Sequence, residues 1–213
     1  MPHNDLSSLP GAQRERVPLA TQRACDKLAR LPPDAAAERL VRQALSGRTV
    51  HHRVQWIQRA ATAWSAPLET VAACRKGCSH CCHISVTISL TEASMIGRVM
   101  GREPSRPAEV VQIDTLQDEA AVRSAEARLQ AGWRGIPCPF LRDDVCSIYV
   151  HRPMACRTLL NLNDDALLCE LVEGVEVPVP YADARHLKAI YLAVQPNAEL
   201  ADIRAFFPVQ GTA

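Results

Sequence analysis

Four of the nine cysteines in this 213-residue chain fall within nine positions, in CRKGCSHCC at residues 74–82. Thiolates are ligands for soft or borderline metals, and a closed structural site takes four of them in a tetrahedron. Cys78 and Cys81 have the C-x-x-C spacing that lets two sulfurs reach one metal, and Gly77 just before them relaxes the turn. Cys74 stands four positions before Cys78, and Cys82 follows Cys81 directly. Neighbouring side chains tend to diverge, so Cys81 and Cys82 rarely suit one ion together: one ligates while the other packs, donates a weak hydrogen bond or serves a second metal. A second group, Cys138, Cys146 and Cys156, lies far along the chain. Two distant thiol-bearing loops are what a metal needs in order to tie a fold together, the metal bond offsetting the entropy of ordering them.

The bulk composition supports this chemistry over others. Hydrophobic residues make up 47% and charged residues 22%, an ordinary globular balance, and the net charge is +1. A nucleic-acid binder carries an excess of Lys and Arg, which is missing here. No apolar run approaches the ~20 residues of a membrane span, and MPHNDLSSLPGAQRERV lacks the apolar stretch of a secretory signal. The expectation is a cytoplasmic protein, with no nucleic-acid or membrane partner and no segment that marks a protein partner. In a reducing compartment, clustered cysteines mean metal binding or thiol chemistry, not disulfides. Disulfide exchange through Cys78 and Cys81 lacks the βαβ pattern that accompanies it.

The candidate ligands are therefore Cys74, Cys78, Cys81, Cys82, Cys138, Cys146 and Cys156. Seven thiols exceed the four that one zinc needs. An iron–sulfur cluster also takes four, and one of its motifs ends in Cys-Pro, echoed by Cys138-Pro139. The surplus favours iron, as an ion or an iron–sulfur cluster, over Zn²⁺, and leaves room for two metals. Four thiolates around such a centre leave about two net negative charges, and Arg152 and Arg157, flanking Cys156, are placed to answer them through sulfur or through backbone carbonyls. His80 and His83 are read first as loop residues and second as ligands. Lys76 is read as solvent-facing, Pro153 as shaping the turn before Cys156, Phe140 and Tyr149 as packing the loops, and Cys25 as core filler beside Ala24 and Leu28.

CRKGCSHCC (74–82), CPFL (138–141), CSIY (146–149) and RPMACR (152–157) occur in the order found in the YkgJ-like cysteine-cluster proteins. The resemblance spans about residues 74–160. It implies a zinc- or iron-chelating domain, and one branch of relatives, the flagellin lysine methylases, implies an iron–sulfur-dependent modifying enzyme. The usual first motif is C-x-x-C-x-x-C-C, and here the first gap is three residues. Relatives with one more cysteine after the CR motif make Cys169 either a further ligand or apolar filler in ALLCELV.

The elements that must position these thiols read as helical. Asp34 can cap a helix whose stripe is Leu40, Val41, Ala44 and Leu45, stopped by Gly47. Val54, Ile57, Ala61 and Trp64 share one face of a helix over 51–66, with His51 and His52 exposed at its start. Another helix is expected around 19–30. ISVTIS suggests a short strand. Ser89 and Glu92 have capping-box spacing for a helix over 90–100, broken by Pro104 and Pro107. Residues 108–131 read as one helix ended by Gly132. Residues 135–159 read as loops, and VEGVEVPVPY as an edge strand or turn. Asp183 can cap a helix with Leu187, Ile190, Tyr191 and Val194, interrupted at Pro196, and a last helix reaches Phe207. The expected fold is mostly α with little β, its helices surrounding an irregular cysteine-rich centre. The expected division is a helical extension (1–73), a metal-binding core (74–160) and a C-terminal segment packed on it (161–213). Three functions suit this: a metal-chelating binding module, an iron–sulfur-dependent modifying enzyme, or a redox or metal sensor.

Overall fold

The frame grows from α3 (Val50–Glu69), the longest helix among the described residues of this computed structural model, 6–31 and 35–209. Thr49 begins it, its hydroxyl accepting from the His52 N–H at 3.2 Å. Val54, Ile57 and Ala61 are fully buried, as their spacing predicts. They pack with Leu187, Tyr191 and Val194 of the C-terminal region into one core, each large apolar side chain contributing about 1.5–3 kcal/mol on burial.

Against α3 pack α2 (Ala35–Ser46), α4 (Leu90–Met100) and α7 (Arg185–Ala193), while α1 (Gly11–Leu28) places Ala24 in a cluster with Leu68 near the end of α3. Helix α2 stops just before Gly47 as expected, although Leu45 faces solvent instead of joining the stripe. The proposed cap Asp34 lies outside the described residues. Helix α4 has the predicted bounds. Ser89 accepts from the Glu92 N–H at 3.2 Å, and Gly101 ends the helix at φ 61°, a left-handed turn that suits a residue without Cβ. The prolines thus lie beyond the stop and do not cause it.

Among the described residues eight α-helices stand against five short strands, so the mostly α reading holds. The predicted strand exists as β1 (Thr87–Ser89), but its partner, β5 (Glu199–Asp202), falls where only a helix was expected. β5 is the centre of an antiparallel sheet ordered β1-β5-β2, pairing Ile88 with Ala201 and Val111 with Leu200. This pairing also corrects the long helix over 108–131. Val111–Gln112 is the edge strand β2, and α5 covers only Glu119–Gln130, started by Asp118, whose carboxylate accepts from the Ala121 N–H at 2.7 Å. Burying Val111 in the sheet outweighs the helical propensity of its neighbours. Residues 135–159 are less irregular than expected. Strands β3 (Leu141–Arg142) and β4 (Val145–Cys146) form a hairpin around Asp143 and Asp144, both at positive φ. The short helix α6 (Met154–Thr158) follows. After β5 come α8 (Ile203–Phe206) and Phe207. Phe207 meets Phe140 edge to face at 5.0 Å, in a second core that includes Ile88 and Ile96.

Candidate metal centre

The loop 74–82 takes its shape from Gly77, whose φ of 87° only glycine adopts freely, and from a 3-10 turn over His80–His83. The hairpin and α6 bring the second cysteine group to it. Cys138 donates its N–H to the Cys82 carbonyl at 2.7 Å, Gly135 donates to His83 O at 2.7 Å, and the Ser79 hydroxyl meets Asp144 Oδ1 at 3.0 Å. The two cysteine segments are therefore joined. Cys74, Cys78, Cys81, Cys82, Cys138, Cys146 and Cys156 are all free thiols and half-buried, and so is Cys169. Among the described residues no group of three His, Cys, Asp or Glu side chains is placed to hold a metal ion.

The electrostatics are those of thiols crowded in a sheltered place. Burial pushes Cys138 up to about 11 and Cys169 up to about 12, and raises Cys74, Cys146 and Cys156, the last well above the usual thiol value. Cys82 donates a hydrogen bond to the Cys81 sulfur. This raises Cys82 and lowers Cys81 to about 7, making Cys81 the thiol most ready to ionise. Backbone N–H groups favour the anionic sulfurs of Cys74 (from Asn161, N···S 3.4 Å), Cys138 (from Phe140) and Cys146 (from Ile148). A free, all-sulfur donor set with such N–H donors fits zinc or iron.

Arg152 is the cation that faces this set. Its charge lowers Cys74, Cys81, Cys146 and Cys156. It stacks over Tyr149 at 3.9 Å, reaches Glu69 at 3.3 Å, and keeps a buried Nε without a partner. Arg157 instead bonds the carbonyls of Arg152 and Val150, both at 2.7 Å, and Thr62 Oγ1 at 2.8 Å, tying α6 to α3. Two of its donors thus reach backbone carbonyls and the third a side-chain hydroxyl. His83 Nδ1 meets Ser79 O at 3.1 Å, inside its own loop. Lys76 and His52 are exposed and His51 half-buried, while Phe140 and Pro153 are buried. Tyr149 is exposed beneath Arg152. Cys25 is exposed too, which corrects its reading as core filler: α1 turns its neighbour Ala24 inward instead.

Three further residues hold the centre. Arg204, 4% exposed and paired with Asp202 at 3.0 Å, donates to the carbonyls of Cys82, Ile84 and Ile136, and so clasps both cysteine segments from behind. The signal was a charged pair embedded in the apolar run LADIRAFF. Glu92 is buried and accepts from Gln58 Nε2, the Met154 N–H and Tyr191 OH at 2.7–2.8 Å, which fixes the start of α6 two residues before Cys156. The capping-box spacing pointed to Glu92 but not to this use of its side chain. Tyr181 borders Cys169 and lines, with Cys81 and Cys156, a cavity of about 690 Å³.

No curated protein and no solved structure is similar enough to this chain to match it. A family model does match, over the segment whose geometry is described above. Residues 73–170 match the model of the CxxCxxCC family, described as a "Putative zinc- or iron-chelating domain".

Proposed function

We propose that this chain binds iron, held as an iron–sulfur cluster by the thiolates of the 74–82, 138–146 and 156 segments, with zinc as the competing occupant. The observation that supports the reading is that eight thiols are free and half-buried, with the distant segments 74–82 and 138–146 hydrogen-bonded to each other at Cys82 and Cys138. Cys74, Cys78, Cys81, Cys82, Cys138, Cys146 and Cys156 would supply the sulfurs. Arg152 would offset part of the negative charge, and the N–H groups of Asn161, Phe140 and Ile148 would stabilise the anionic sulfurs. Bound iron–sulfur would supply electron transfer or redox activation. The number of thiols supports iron, because one zinc leaves about half of them unused.

Elemental analysis and absorption spectroscopy of anaerobically purified protein test the reading. Iron with sulfide and a broad thiolate–iron absorption near ~400 nm is the expected result. A colourless protein holding only zinc removes the iron–sulfur reading, and a metal-free protein removes chelation altogether.

A modifying enzyme is the second reading, and the cavity beside Cys81, Cys156 and Cys169 favours it. That cavity would admit a substrate to the centre. Its walls carry charged side chains, Glu126, Arg134, Glu176 and Lys188, beside the thiols and apolar residues, and do not include Arg152, Arg157 or His80.

A further inference from the structure

The thiols do not form one undivided crowd. Cys138, Cys146 and Cys156 pack against a single apolar cluster that contains Phe140, Ile148 and Phe207. Cys82 joins them through its carbonyl, which accepts from the Cys138 N–H at 2.7 Å. Cys74 lies on a different cluster, with Leu68, Leu160 and Leu162. Cys169 comes to it through one residue: Asn161 donates its backbone N–H to Cys74 Sγ at 3.4 Å and its side-chain Nδ2 to Cys169 Sγ at 3.3 Å.

Asn161 is built for that task. It is 1% exposed, its carbonyl accepts from the Ala73 N–H at 2.9 Å, and it bridges to Tyr181 across an antiparallel contact. A buried residue with two N–H groups on two different sulfurs is the support that metal-ligating thiolates require. The same donors on neutral thiols would gain little.

The cavity is lined by one thiol from each group, Cys156 and Cys169, together with Cys81.

Resting on the chelation reading above, we propose that the chain holds two metal centres. Cys138, Cys146 and Cys156 belong to one. Cys74 and Cys169 belong to the other, with Asn161 as its positioning residue, and Cys169 is thereby a ligand.

Metal content of the anaerobically purified full chain tests the division. Cys169→Ser and Cys146→Ser should each lose half of the wild-type metal, and the double variant nearly all of it. Asn161→Asp, which sets a carboxylate against the sulfurs, should lose the same half as Cys169→Ser. Anaerobic cobalt(II) titration of the metal-free wild-type chain gives the count with no substitution, and thiolate–cobalt absorption should rise to two equivalents. A Cys169→Ser chain with its full metal complement, or a cobalt end point at one equivalent, overturns the two-centre division and leaves chelation standing. A wild-type chain that takes up neither native metal nor cobalt overturns both.

Discussion

Helix α3 and the segment carrying Cys138, Cys146 and Cys156 lie against each other, yet different forces hold them. In α3 the backbone satisfies itself, and Val54, Ile57, Ala60 and Ala61 bury one continuous face. The cysteine segment has a two-residue-per-strand hairpin and a five-residue helix, too little regular structure to stabilise itself. Its carbonyls are used one at a time by Arg204 and Arg157, and its sulfurs lean on apolar clusters without being closed off. The contrast teaches that the helical frame is held mainly by hydrophobic burial, with the buried Glu92 hydrogen bonds linking its helices, whereas the centre needs side-chain clasps and, on the function proposed above, a metal.

Breaking a clasp is the strongest way to test that contrast. Arg204→Ala leaves Asp202 charged and buried and frees the carbonyls of Cys82, Ile84 and Ile136. It should cost about 3–5 kcal/mol, measured by urea denaturation, and should reduce bound metal. Normal stability with normal metal content would show that Arg204 does not hold the loops. Glu92→Ala strips three donors of their acceptor and should cost about 3 kcal/mol. Glu92→Gln keeps an acceptor for Gln58 and the Met154 N–H and should cost about 1 kcal/mol. Equal losses in the two variants would mean that the charge, not the hydrogen bonds, matters at this site. Cys25→Ser sharpens the comparison from the other end. It lies on the exposed side of α1, and should change stability by less than about 0.5 kcal/mol and metal content not at all.

How much of this was legible in the sequence follows the same divide. Helix α4 was readable to the residue because Ser89 and the apolar period mark it locally. The ordered cysteine motifs were equally plain, since their spacing is itself the signal. Strand β5 was not readable: ELAD has no strand signature, and its pairing with β1 comes from more than a hundred positions away. Arg204 and Asn161 were missed for a related reason. A buried arginine that bonds three distant carbonyls, and an asparagine that bonds two distant sulfurs, have partners set by tertiary approach; the apolar run LADIRAFF marks the burial of Arg204 but not what it bonds. Cys25 shows the opposite error: one residue of helical phase separates the buried Ala24 from the exposed thiol.

The most direct test of the central claim is amide hydrogen exchange on the full chain before and after anaerobic metal removal by a chelator. The account predicts that protection falls over residues 74–84 and 136–158 while α3 and α4 keep theirs. Unchanged protection of both cysteine segments after complete metal loss would contradict it.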